Sequence, residues 1–133
     1  MTLLDANIIV RYVTGDDPVK TPRCERFLNA VAKAEQRVVM TSLCLAEVAW
    51  VLDRLYHYPK PAVVAVLRRL LNTAGIELTD RPLWVAAVDL YETHAMNLID
   101  AYHVAFMQTR GITTLYSYDS DFDHVTGLTR REP

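Results

Sequence analysis

Lysine is nearly missing from this 133-residue chain, occurring only at Lys20, Lys33 and Lys60. Fourteen basic residues face sixteen acidic ones, for a formal net charge of −2. A domain that held nucleic acid by charge alone would be basic, so any polyanion must be met through bound cations or local arginine clusters. The lack of lysine after Lys60 also excludes a signalling receiver domain, an α/β class that needs a late lysine beside its phospho-accepting aspartate. No Asp-x-Asp-x-Thr follows the first apolar run, which argues against a phosphatase of that type: Asp5 is followed by Ala6 and Asn7.

Glycine is scarce as well, with four in the chain, and no Ser/Gly/Pro-rich stretch, repeat or low-complexity run marks a linker. One domain over residues 1–133 is the expectation, and a chain of this size buries roughly two-thirds of its unfolded surface. Hydrophobic residues, at 51%, supply that core. No apolar run approaches the ~18 residues of a membrane span. The opening MTLLDANIIV carries an acid inside its apolar run and lacks the basic start of a signal peptide. Cys24 and Cys44 have no metal-ligand spacing and fall in helical segments, as buried thiols of a reducing compartment do. The expectation is a cytoplasmic protein with no membrane partner.

What is present is an alternation of short β-branched runs with helical periodicity. Thr2–Leu4, Val38–Thr41, Ile76–Leu78 and Ile112–Tyr116 read as strands, and Leu128–Arg130 as a short edge strand. Between them, helices are predicted after Asp5, around Cys24–Val31 and over SLCLAEVAWVLDRLY, capped by Thr41 or Ser42. Further helices follow Pro59 and Pro61, with Val63, Val66, Leu67, Leu70 and Leu71 inward and Gly75 as C-cap, then Asp80 with Pro82, and finally Asn97, ending at Gly111. Such alternation indicates a mostly parallel sheet of four or five strands flanked by helices, with ligands beyond the carboxyl ends of the strands.

Four acids sit at those junctions: Asp5, Glu47, Asp100 and Asp119. Each has an ordinary explanation. Asp5 suits an N-cap. Asp100 lies in a first helical turn, where the macrodipole favours an acid. Glu47 shares a helical face with Leu43 and Trp50, expected to point to the core, where a salt bridge would have to hold it. Asp119 opens YDSDFDH, which fails as a calcium loop because His124 stands at the glycine position and Arg130 at the bidentate-glutamate position. Asp121 is close enough to share or take the place of Asp119, and Asp123 is expected in solvent. Jointly the four coincidences point to convergence. At about 5 Å and an effective dielectric of 20, each pair of like charges repels by roughly 3 kcal/mol, which a divalent cation relieves. Hard ions such as Mg²⁺ take oxygen ligands and keep several waters.

These segments resemble a known family. LLDANIIVRY, Glu47 in SLCLAEVAWVL, Asp100 in IDAYHVA and LYSYDSDF are similar, in order and over nearly the whole chain, to the acidic motifs of PIN-domain ribonucleases, and most of all to VapC-type toxins of toxin–antitoxin pairs. The resemblance implies a single PIN-like domain and a Mg²⁺- or Mn²⁺-dependent endoribonuclease whose acids match Asp5, Glu47, Asp100 and Asp119. It also implies a homodimer held in check by a cognate antitoxin. Under this reading Asp5, Asp100 and Asp119 hold metal, Glu47 binds it directly or through water, and Asn7, Ser117 and Asp121 are accessory. Arg11, Arg130 and Arg131 are candidates for RNA phosphates. His103 is taken as a partly buried structural histidine, and Trp50, Trp84, Tyr91 and Phe106 as core or dimer interface. The alternative function is a catalytically inactive PIN-like domain that only binds RNA or protein.

Overall fold

Short side-chain caps decide where the chain turns from extended to helical. In a computed structural model that describes all 133 residues, Asp5 is the N-cap of α1 (Ala6–Thr14), and Gly15 ends that helix in the left-handed region at φ 63°. Thr41 Oγ1 accepts the Cys44 N–H and starts α3 (Ser42–Trp50). Asn97 Oδ1 accepts the Asp100 N–H at 2.8 Å and starts α6 (Leu98–Arg110), which Gly111 closes. These caps answer the unpaired N–H groups that every helix leaves at its start.

The chain divides into two compact units, Met1–Arg81 and Pro82–Pro133. In the first, β1 (Val38–Met40) pairs in parallel with β2 (Ile76–Leu78), Val38 opposite Ile76. On its other side β1 takes a parallel bridge from Leu3, with Val39 N–H donating to Thr2 and Leu4 N–H to Val39. The helices of this unit are α1, α2 (Lys20–Ala32), α3 and α4 (Lys60–Leu71). Its core is formed by Leu4, Ile9, Val31, Leu45, Val48, Leu52, Val63 and Leu67, all essentially inaccessible. Pro59 and Pro61 stand at the N-cap and second position of α4, where a missing N–H costs nothing.

The second unit holds most of α5 (Arg81–Thr93), then α6, β3 (Thr114–Tyr116), a 3₁₀ turn over Ser120–His124 and β4 (Thr129–Arg131). β3 and β4 are parallel, Thr114 opposite Thr129. Buried Trp84 stacks on Tyr102 with ring centroids 4.5 Å apart. All five extended segments expected from the sequence are found and every pairing is parallel. They form two short pairs and a bridge rather than one four- or five-stranded ladder. No helix is long and apolar enough to cross a membrane.

Three local expectations change. Gly75 does not cap α4, whose C-cap is Asn72. It is buried where backbones meet, and a Cβ there would lie 2.1 Å from the Val31 carbonyl oxygen. The long helix through Tyr56 widens at Val51–Leu55 into a π turn. The face carrying Leu43, Glu47 and Trp50 points outward: Leu43 is 82% and Trp50 57% exposed, while Cys44, Leu45, Val48 and Ala49 enter the core. This helix is apolar nearly all round, so helical spacing groups its residues into faces without choosing the inner one.

Candidate active site

Each unit gathers its own acids. In the first, Asp5 follows the bridging segment and stays exposed, with its Oδ2 3.5 Å from the Asn7 N–H it accepts. Glu47 lies one turn after Cys44 on α3 and is exposed, so no salt bridge is needed to hold it. Cys44 reports on both. Burial pushes its thiol up to about 11, and the negative charges of Asp5 and Glu47 push the same way. Acids from the first strand end and from α3 therefore bear on one point, and the thiol they surround stays protonated at neutral pH. It is no candidate for a nucleophile.

In the second unit, Asp100 sits half-buried in the first turn of α6. Burial raises its carboxyl above the ordinary range, and the nearby charges of Asp119 and then Asp121 raise it further, with His103 opposing. His103 is exposed rather than partly buried, and acts on Asp100 only as a neighbouring charge. The loop bearing the other acids is held by its own side chains. Ser117 Oγ accepts the Asp119 N–H at 3.0 Å, and Asp119 Oδ1 accepts the Asp121 N–H at 2.9 Å, opening the 3₁₀ turn. Asp119, Asp121 and Ser117 thus form one ordered turn, in which Asp119 is the cap and Asp121 the capped residue.

Asp123 is exposed, as expected, and is also paired. Arg130 grips it with Nε and Nη2 at 2.8 and 3.2 Å, while Nη1 reaches Glu132 and the Ser117 carbonyl oxygen. Its side chain is only 18% exposed. Arg130, expected from the sequence to touch phosphate, thus ties β4 to both ends of the acidic loop. Arg131 is exposed. Arg11 lies 3.6 Å from both Asp16 and Asp17. The sequence offers no direct sign of the Arg130–Asp123 pair beyond opposite charges seven residues apart.

The donor chemistry fits a hard divalent ion. The donors are carboxylate oxygens, in the second unit like charges crowd Asp100, and no lysine or arginine pairs with Asp5, Glu47, Asp100 or Asp119. No three His, Cys, Asp or Glu side chains are assembled as a cage.

The PIN domain family matches residues 2–128. VapC ribonuclease Mb1869c of Mycobacterium bovis is 30% identical over 132 residues, covering 98% of both chains. Ribonuclease VapC13 of Mycobacterium tuberculosis matches to the same extent, 30% over 98% of each. A crystal structure of Mycobacterium tuberculosis VapC20, described as a Sarcin-Ricin loop cleaving toxin, superposes with a TM-score of 0.42 at 21% identity, over 92% of this chain and 93% of that one. With the PIN domain matched over residues 2–128 and both relatives aligned end to end, the chain belongs to the PIN-domain family, and within it to the VapC type.

Proposed function

We propose that this chain is a single PIN-like domain that cuts RNA phosphodiester bonds with Mg²⁺ or Mn²⁺, as the toxin of a toxin–antitoxin pair. The observation that carries the reading is the PIN-domain match over residues 2–128 together with two relatives named ribonuclease and aligned end to end. Burial and the neighbouring charges of Asp119 and Asp121 raise the Asp100 carboxyl, a cost that a bound cation would relieve.

Asp5, Asp100 and Asp119 would be the ligands of one or two metal ions, with Glu47 binding metal directly or through water. When bound, the ion supplies an activated water and offsets charge on the phosphate. The chain's own residues do the rest. Asp100 must shed its proton to become a ligand, so cutting weakens as pH falls through its raised pKa. Ser117 and Asn7 carry polar groups beside Asp119 and Asp5 and orient water or phosphate. Arg11 and Arg131 contact the RNA backbone, and Arg130 holds the acidic loop in place. Attack comes from water, since Cys44 is buried and protonated.

Leu43 and Trp50, exposed on either side of Glu47 along α3, supply apolar surface for the cognate antitoxin or for a second copy of the chain. The compartment that fits this role is the cytoplasm.

The test is incubation of cellular RNA with purified protein in Mg²⁺, Mn²⁺ or EDTA, beside Asp100→Asn. Discrete, metal-dependent cuts that vanish in the variant are expected. Identical RNA patterns for wild type and variant would favour the binding-only domain, a reading to which the unassembled ligand set lends some weight.

A further inference from the structure

Beside the first acid, in the Met1–Arg81 unit, lies a cleft whose polar lining is cationic. It has a volume of about 310 Å³ and is lined by Asn7, Ile8 and Arg11 of α1 and Lys20, Arg23 and Cys24 of α2. Pockets that enclose small ligands begin near 300 Å³, so the space suits a unit the size of a nucleotide. The cations differ in how far they are neutralised. Arg11 faces Asp16 and Asp17, each at 3.6 Å. Asp17 in turn is occupied as a helix-starting acceptor, taking the N–H groups of Val19 and Lys20. Lys20 and Arg23 are exposed and form no ion pair. Arg23, and Lys20 whose charge also helps to lower the Asp17 carboxyl, therefore line a cleft outside any ion pair in a protein whose net charge is negative. Asn7 connects it to Asp5, whose carboxylate accepts the Asn7 N–H.

We propose that this cleft between α1 and α2 binds the backbone phosphate of single-stranded RNA, with Lys20 and Arg23 as the principal contacts and Arg11 and Asn7 on its wall. The inference rests on the ribonuclease reading and deepens it: it names where the strand is gripped next to the Asp5 end of the acidic set. An acidic protein chain (a glutamate-rich segment of a partner) offers the same charge. RNA is favoured because the cleft adjoins a residue assigned to the RNA-cutting set, and because contacts to phosphate position a strand without reading its bases.

The test measures binding of a fluorescent single-stranded RNA to the full chain by anisotropy in EDTA, where metal-dependent cutting is off. Failure of cleavage therefore leaves this readout intact. Lys20→Gln/Arg23→Gln is compared with Lys33→Gln/Arg37→Gln, which removes the same charge at exposed positions outside the cleft. Thermal melts confirm that both fold. The cleft pair should weaken binding roughly tenfold and flatten the dependence of log Kd on log salt by about 1.4, the value for two lost single-strand phosphate contacts, while the control pair stays within about twofold. Equal weakening in both pairs would reduce the effect to net charge and overturn the proposal, as would unchanged binding by the cleft pair or no RNA binding by the wild type. Unchanged RNA binding with lost binding of a poly-glutamate peptide would assign the cleft to an acidic protein segment instead.

Discussion

Asp100 concentrates the conflict between stability and activity in one side chain. Its folded pKa is raised, so between its unfolded and folded values the native state holds more protons than the unfolded one. Its stabilising contribution is full below the unfolded pKa and lost as pH rises through the folded value. Once ionised, the crowded and partly buried carboxylate is a burden that asparagine removes. Asp100→Asn should therefore melt higher than wild type at pH 7 in EDTA, with the gap closing in acid, while cutting no RNA. A variant that melts lower at pH 7 would show that the carboxylate makes compensating contacts. Gly75 is the opposite case, with no chemistry and no room. A Cβ would meet the carbonyl oxygens of Val31 and Gln36 at 2.1 and 2.7 Å, and because both are backbone, neither can swing aside. Gly75→Ala should cost at least about 2 kcal/mol, read from urea unfolding, with the RNA cleavage pattern of the surviving folded protein unchanged.

Among the elements, the start of α6 and the loop before β4 bear most directly on the acids. Asn97 caps the Asp100 N–H, so Asn97→Ala should cost about 1 kcal/mol and lower cleavage more than an equally destabilising change elsewhere, because the frayed turn carries the proposed ligand Asp100. The Arg130–Asp123 pair closes the loop that holds Asp119 and Asp121. Its guanidinium holds Asp123 below the ordinary carboxylate range. That contribution is present above the unfolded pKa and lost as pH falls through the folded one. Arg130→Gln should remove this acid-side dependence from the melting curve and loosen the acidic loop, measured as a weaker Mn²⁺ titration at constant pH. An unchanged Mn²⁺ affinity would make Arg130 a stability device only. These elements were largely legible beforehand. Asp5, Thr41, Asn97, Gly15 and Gly111 are helix signals whose effect is local, and all act at the expected positions. The Arg130 pair was not legible, since it depends on how β4 returns beside β3.

For the whole molecule, the proposed cation would reconcile an acidic chain with the proposed cutting of RNA. Mg²⁺ or Mn²⁺ binding to the native state alone raises stability by mass action, about 2.7 kcal/mol at a hundredfold excess over Kd. Wild type should therefore gain melting temperature on adding either ion and lose it on adding EDTA, and Asp100→Asn should gain less. Equal gains in both would place the stabilising ion away from this acid.

The sequence alone was enough for the order of strands and helices, most of the caps and the family, because each depends on neighbours in the chain or on motif order. Only the tertiary structure decided which side of α3 is buried. A helix that is apolar nearly all round has no preferred inner face until another element packs on it, and here Leu43, Glu47 and Trp50 were left outside. It also decided how tightly Asp100 holds its proton, which depends on charges brought in from nineteen and twenty-one residues away. And it decided that Lys20 and Arg23 share a cleft with Arg11, because proximity between two helices is a property of their packing and leaves no trace in spacing along either one.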